Sequence, residues 1–454
     1  MLYLRYRIVY YDGRIGQMKS VRVYKYRWVV LLAIMLLTIA SSFQWLALAP
    51  ISRAAMQFYK GQIPERSIIG PDLLTLIHMV VFLIASIPAS FVIGKIGLKY
   101  SLRFAALLIA VFSLIKGFGA ANFNLVLISQ IGLALAHPIV FNSVTAVTAR
   151  WFPLRERGFA TGLVSFSQYL GLLLVMIISP QSVVTRPQVE NYGQGIASLL
   201  FWYGIATAVI SAATILLFKE KPATPASNEP YHEYGFRTSY RILFHKKHMA
   251  GLTIVFGLIW GLFIAFISKV DGITALIGIE NSNGIIGAVL LIAGMLGSVV
   301  IPAISDYTRK RKKYFIISIT GIFVGFISFA VAPLIVNLIP EGARIIAIVF
   351  SGVLGFFFMG AIPLGFQYAS ELSYPAPESA SQGILLLGGY LTGTIVLLFM
   401  ILQGGAYLEA VLIASVVSLF ATFLAAFFIK ESPVIITEDE RLRQAVDKEF
   451  VVLE

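Results

Sequence analysis

GFFFMGAIPLGFQYASELSYPAPESASQGILLLGGY, from Gly355 to Tyr390, is the stretch whose reading decides the fold. Two apolar runs flank a short polar turn around Pro375 and Pro377, so it reads as the end of one helix and the start of the next. Half a chain earlier stands an echo, RWFPLRERGFATGLVSFSQY, from Arg150 to Tyr169. Both stretches have an aromatic-proline step, a Glu three residues after the proline, and then a Gly followed seven residues on by a Tyr. Gly162 thus pairs with Gly383, and Tyr169 with Tyr390. A single period near half the length predicts two similar halves.

The surrounding composition says what kind of helices these are. With 58% hydrophobic and 13% charged residues over 454 positions, the chain is no soluble globular domain; its mean hydropathy is +0.86. A helix of about 20 apolar residues crosses a bilayer core of roughly 30 Å. Twelve segments qualify: 28–51, 72–94, 102–121, 123–149, 159–181, 194–218, 249–269, 283–304, 313–336, 342–369, 380–402 and 408–429. No alternating barrel pattern is present, and open strands would leave backbone groups unpaired in lipid. The predicted class is an all-α, multi-pass membrane protein with twelve spans in two pseudo-symmetric six-helix bundles. Its parts are a basic N-terminal arm (1–27), a first bundle (28–218), a linker (219–248), a second bundle (249–430) and a tail (431–454).

A net charge of +13 raises the question of nucleic acid, but the placement of the charge answers it. All but seven of the 35 Lys and Arg (Arg53, Lys60, Arg66, Lys116, Arg186, Lys269 and Arg344) fall on one side of the twelve spans. That is the positive-inside bias, which predicts cytoplasmic termini and the lipid bilayer, not nucleic acid, as partner; the expected location is the plasma membrane. Cysteine is absent, removing disulfides, thiolate metal sites and a Cys nucleophile. The first apolar run is too long for a cleaved signal peptide.

Polar residues inside the spans are the candidates for function. The first span ends in SSFQWLALAPI (Ser41 to Ile51), where Gln44 and Trp45 interrupt an aliphatic run; they read as a cavity stripe or as an interfacial belt. The second span carries His78. Lys116, near the outer end of the third, is expected to snorkel to the headgroups. The fourth holds Gln130, His137, Pro138 and Asn142. Pro138 should bend it, and His137 is either cavity-facing or a structural histidine bonded to a neighbouring helix. Small-xxx-small pairs at Gly158/Gly162 and at Gly257/Gly261, the latter around Trp260, predict close helix packing. His245 and His248 lie in the linker without a carboxylate or thiol partner, so no metal is expected there.

The loop after the second span, IPASFVIGKIGLKYSLR (Ile87 to Arg103), has a counterpart after the eighth, IPAISDYTRKRKK (Ile301 to Lys313). Here the chain resembles the major facilitator superfamily, whose corresponding loops carry G-x-x-x-D-x-x-G-R-K-like motifs. Asp306, Arg309 and Lys310 fit the motif, with Pro302 and Arg309 in the two glycine positions. In the first half Gly97 keeps its glycine, while Gly94 stands where the acid belongs. The resemblance implies carriage by alternating access and an inner gate. Asp306 is expected near the start of the eleventh span with Arg309 or Lys310, and Glu371 and Glu378 complete that gate.

No H-E-x-x-H, G-x-S-x-G or Walker A sequence is present, so neither an enzyme, a cofactor site nor an ATP-driven pump is expected. Asp and Glu sit only at span ends, which favours facilitative uniport over proton symport; His78 or His137 would be the groups left to titrate. PLGFQYASELSYP (Pro363 to Pro375) and FQW (Phe43 to Trp45) are similar to stretches of the feline leukaemia virus subgroup C receptor-like branch. That branch is linked to choline, ethanolamine and haem transport, and there this Trp lines the choline site. Its cavity glutamines fall on Tyr169, beside Gln168, and on Tyr390; its seventh-span aromatic falls on Ile264, one turn after Trp260.

The expected cargo is therefore a small organic solute, an amine or ammonium compound, carried by a monomer. Trp45, Gln44, Tyr169, Gln168, Trp260, Tyr390 and His137 are the expected binding residues. An aromatic face attracts a cation without needing a buried carboxylate. The runner-up is a proton-coupled carrier of organic anions or drug-like solutes that uses Lys116, Arg53 or His137.

Overall fold

The computed structural model describes residues 23–64, 69–224, 226, 243, 247–276, 284–336, 340–373, 378–402 and 407–432. Among them, twelve helices are long and apolar enough to cross a membrane. In the first half α1 (Arg27–Trp45) is followed by a short α2 (Ser52–Phe58). Then come α3 (Pro71–Ile96), α4 (Leu98–Phe118), α5 (Phe123–Trp151), α6 (Leu154–Ser182) and α7 (Ile196–Leu217). The second half repeats the plan, with α8 (Lys247–Ser268), a short α9 (Val270–Leu276), α10 (Ile285–Thr308) and α11 (Arg311–Val336). It closes with α12 (Pro340–Ser373), α13 (Glu378–Ile401) and α14 (Leu408–Ala426).

Each expected span falls on one of these helices. The side holding the start of α1 and the end of α14 is termed inner, the other outer. At their inner ends α6 and α12 run past the expected bounds, because helix continues through polar residues such as Glu156 and Glu371 after the apolar run has stopped. The repeat shows clearly at the outer side, where α1 and α8 each give way to a short helix of seven residues. Pro138 does not interrupt α5, which is continuous from Phe123 to Trp151. The turn at Pro375 and Pro377, His245 of the linker and the side chain of Glu378 lie outside the described residues.

In lipid the hydrophobic effect does not pull helices together, so close van der Waals fit has to. Along α8 and α13 the backbones approach so closely that a methyl group on Gly261 would lie 2.5 Å from the Gly393 nitrogen. A methyl group on Gly257 would come within 3.1 Å of Gly388. The pair at Gly158 and Gly162 behaves otherwise: a methyl group on either would meet nothing within 4 Å. Small-xxx-small spacing marks where helices can approach, and at this exposed inner part of α6 no helix does.

The halves meet along two seams. Met79 and Phe82 of α3 face Tyr390 and Gly393 of α13, while Met176 of α6 covers Gly284 and Gly287 at the start of α10. These contacts lie in the middle and outer layers. One apolar core, running from Trp45 through Met79, Phe82 and Met176 to Phe263 and Leu290, crosses the seam. A second, with Leu37, Ala105, Val140 and Phe218, belongs to the first half alone.

Candidate functional site

The site is built on the broken end of α1. The helix stops at Trp45, which leaves the carbonyls of its last turn without helical partners. Lys116 of α4 donates to the Gln44 carbonyl at 3.1 Å and to Gln130 Oε1 at 2.9 Å. Gln130 in turn donates to the Trp45 carbonyl at 3.3 Å, and Ser179 of α6 to that of Ala47 at 2.9 Å. Lys116 therefore does not snorkel: it is 2% exposed and serves as a cap. A cation at a helix C-terminus is favoured by the macrodipole, and water is not there to do the same work. This use occupies one of the three groups, with Arg53 and His137, offered for an anion carrier.

The cap fixes Trp45 at the centre of a ring cluster. His78 stacks on its indole with centroids 5.2 Å apart and planes at 14°. His137 lies 5.6 Å away and Tyr390 6.1 Å away. Phe82 stacks on Tyr390 at 3.9 Å, and Phe141 leans on His137 at 4.8 Å. Trp45, His78, Phe82, His137 and Phe141 come from the first half; Tyr390 alone among the described rings comes from the second. His137 spans both, with Nδ1 2.7 Å from Ser41 Oγ and Nε2 3.2 Å from the Tyr390 hydroxyl. The two readings of His137 thus merge, since it is bonded to α1 and to α13 and also faces the cluster.

Other expected residues stand further off. Gln44 turns to α7, donating to the Tyr203 carbonyl and Thr207 Oγ1. Trp260 stacks on Phe263 at 5.4 Å and lies against Gly389, one residue from Tyr390. Tyr169 and Gln168 are buried in α6, and among the described residues no ring contact joins Tyr169 to the cluster. Several buried polar atoms have no partner among the described residues: both nitrogens of His78, Nε1 of Trp45 and of Trp260, and Nε2 of Gln168. His78 was expected only as a group that could titrate, not as a binding residue, and Phe82 was not expected. One signal was present, because His78, Phe82 and Ser86 are spaced by four and share a face of α3 with the serines that hold Asn142.

Charges mark the two ends of the seam. At the outer end two ion pairs join the halves. Arg53 of α2 grips Asp271 of α9 through Nη2 at 2.9 Å and Nε at 3.1 Å, and Lys269 reaches Asp72 of α3 at 2.7 Å. At the inner end Asp306 pairs with Arg311, not with Arg309 or Lys310, and Arg311 also holds Glu371 at 2.9 Å. Arg309 closes α10 with φ 54°, while Gly97 closes α3 with φ 90°. Both helix ends thus carry a positive-φ residue, Arg309 in the left-handed helical region (ψ 33°) and Gly97 in an extended one (ψ 160°) that favours glycine. In the first half the missing acid is supplied by Glu220, which accepts from the Leu98 and Lys99 amides and from Arg150. Burial pushes the Glu220 carboxyl up, but these donors together outweigh it and hold it below the ordinary value of 4.5.

Two packed six-helix halves with a buried ring cluster between them define a multi-pass membrane protein. The Major Facilitator Superfamily profile matches residues 28–397, and the chain belongs to that superfamily. Its fold is similar to that of a D-xylose–proton symporter, with a TM-score of 0.70 at 12% identity over 90% of this chain and 99% of that one. A bacterial homologue of the human lysosomal transporter Spinster gives 0.67 at 14% identity, over 91% of this chain and 100% of that one. In sequence the chain is 28% identical to the choline/ethanolamine transporter flvcr2a of Danio rerio, over 86% of this chain and 82% of that protein. It is 27% identical to the choline/ethanolamine transporter FLVCR1 of Felis catus, over 83% and 67%. It is 30% identical to solute carrier family 49 member A3 of Xenopus tropicalis, over 84% and 78%.

Proposed function

We propose that the chain is a facilitative uniporter of a small organic ammonium solute, of the kind carried by its choline/ethanolamine relatives. It acts as a monomer in the plasma membrane, with the inner side cytoplasmic. The observation that carries this reading is the ring cluster at the seam, with Trp45 and Tyr390 at its heart. A desolvated aromatic face attracts a cation by roughly 0.5–2 kcal/mol, so two or three rings can hold an ammonium that a carrier must also release. Uniport is supported by the absence of any Asp or Glu at mid-span in the sequence. Tyr390 comes from the half opposite Trp45, so cargo seated between them would tie its own binding to the relative position of the halves. Trp260, Tyr169 and Gln168, buried nearby, are the groups that enlarge the site when the halves move.

Uptake of labelled choline and ethanolamine into proteoliposomes tests it. Trp45→Ala abolishes uptake and Trp45→Phe keeps part of it. Tyr390→Phe weakens uptake modestly, because the ring stays and only its bond to His137 goes. Normal uptake by Trp45→Ala, or transport confined to anions, overturns the reading.

A further inference from the structure

Rings bind charge but do not sort one ammonium from another, so selectivity has to come from polar groups left free beside them. The cluster contains two histidines, and they differ. Both nitrogens of His137 are engaged, by Ser41 and by Tyr390. His78 is fully buried, and among the described residues neither of its nitrogens has a partner. Buried polar groups are almost always hydrogen-bonded, and an imidazole left without partners at the centre of a carrier calls for one. It is packed against the ring proposed to hold the charge, on Trp45 at 5.2 Å, with His137 meeting it edge-on at 4.6 Å.

An imidazolium would repel a cation, so a ring sharing its site with an ammonium is neutral. Neutral imidazole has one N–H donor and one acceptor nitrogen. A hydroxyl suits either, since it both donates and accepts. We propose that His78 is a specificity-determining residue: it hydrogen-bonds the hydroxyl of an amino alcohol whose ammonium rests on Trp45 and Tyr390. A two-carbon spacer carries the hydroxyl from one ring of the stack to its neighbour. The inference rests on the ammonium reading above, to which it adds the chemical class selected: hydroxyalkyl ammonium over plain alkyl ammonium of the same size and charge.

The test uses choline and ethyltrimethylammonium, which differ only in a hydroxyl replaced by hydrogen, as competitors of labelled choline uptake by the full chain. Wild type prefers choline roughly tenfold, the value of one buried hydrogen bond to a neutral group. His78→Phe, which keeps a ring against Trp45 but has no polar atom, binds the two equally. His78→Gln, which can donate and accept, regains most of the preference, and Trp45→Phe, which keeps part of the uptake, weakens both cargoes while leaving their ratio intact. Size-exclusion profiles and Tm values establish that the variants are folded; should His78→Phe fail there, the wild-type ratio and His78→Gln carry the test. A wild-type ratio near one, or a preference that survives in His78→Phe, overturns the assignment of His78 while leaving the aromatic site standing. If wild type binds neither cation, the ammonium reading itself fails and takes this inference with it.

Discussion

The two ends of the seam use the same interaction to opposite effect. At the outer end, Arg53–Asp271 and Lys269–Asp72 run from one half to the other. At the inner end the described ion pairs stay within a half: Arg27–Glu156 and Arg150–Glu220 in the first, Arg311–Asp306 and Arg311–Glu371 in the second. Among the described pairs, the outer ones thus tie one half to the other and the inner ones brace each half on its own. Within the inner sets the signs are exchanged. The first half ends α5 with Arg150 and brings the acid from the linker; the second ends α12 with Glu371 and brings the base from α11.

The largest effect should come from breaking an outer pair. Asp271→Asn leaves Arg53 without its buried carboxylate, and removing one partner of such a pair costs about 3–5 kcal/mol when both are buried. Arg53 is partly exposed, so we expect a shift away from the outer-closed state on the order of a hundredfold. Spin-label distances between α2 and α9 measure it, and the swapped pair Arg53→Asp with Asp271→Arg should restore the closed distance. Unchanged distances would mean that apolar contacts such as Met176 on Gly284 close the outer side unaided.

Asp306→Asn sharpens the contrast from the other end. Asp306 is 52% exposed, so its bond to Arg311 contributes little to stability. If it serves as the inner gate once the halves close there, the variant moves the population toward inward-open about tenfold. Inter-half distances at the inner ends of α3 and α13 report it, and Tm should hardly move. A fall in Tm with no change in distance would assign Asp306 to the upkeep of its own half.

Glu220→Gln should lower Tm at neutral pH and leave inter-half distances alone. Because the folded carboxyl titrates below its usual value, this stability is present above about 4.5 and is lost as pH falls through the lower folded value. The Tm gap between wild type and Glu220→Gln should thus be steady from pH 6 to 8 and close only in acid; a gap that closes near neutrality would place another group in control. The smallest effect belongs to Arg309→Gly, which relieves a left-handed residue at a cost of about 1 kcal/mol and should raise Tm slightly. A fall would show that the Arg309 side chain earns its position.

These contrasts explain what could be read from residues alone. The twelve spans were legible because length and apolarity are local properties. Trp45 was legible because polar neighbours interrupt its aliphatic run. His78 was only partly legible, since its spacing of four from Phe82 and Ser86 marks a shared face of α3 but not the ring it stacks on. Lys116 was misread because its acceptor is a backbone carbonyl freed by a break in another helix. Asp306 meets Arg311 here, a partner that spacing within a run of five basic residues from Arg309 to Lys313 does not single out. Glu220 was passed over as linker, though it fills the place that the motif leaves empty at Gly94.

The outer closure also bears on how fast such a carrier can cycle. A gate sealed by a broad greasy interface would sit in a deep well, and each turnover would have to climb out of it. Paired charges taken from water are different: their attraction roughly cancels the hydration they surrender, and opening returns that hydration. Arg53, Asp271, Lys269 and Asp72 can therefore hold the outer door firmly in geometry yet shallowly in free energy. A weakly bound solute then suffices to tip the balance, and raised salt, which screens the separated charges more than the paired ones, should lengthen the time spent open to the outside.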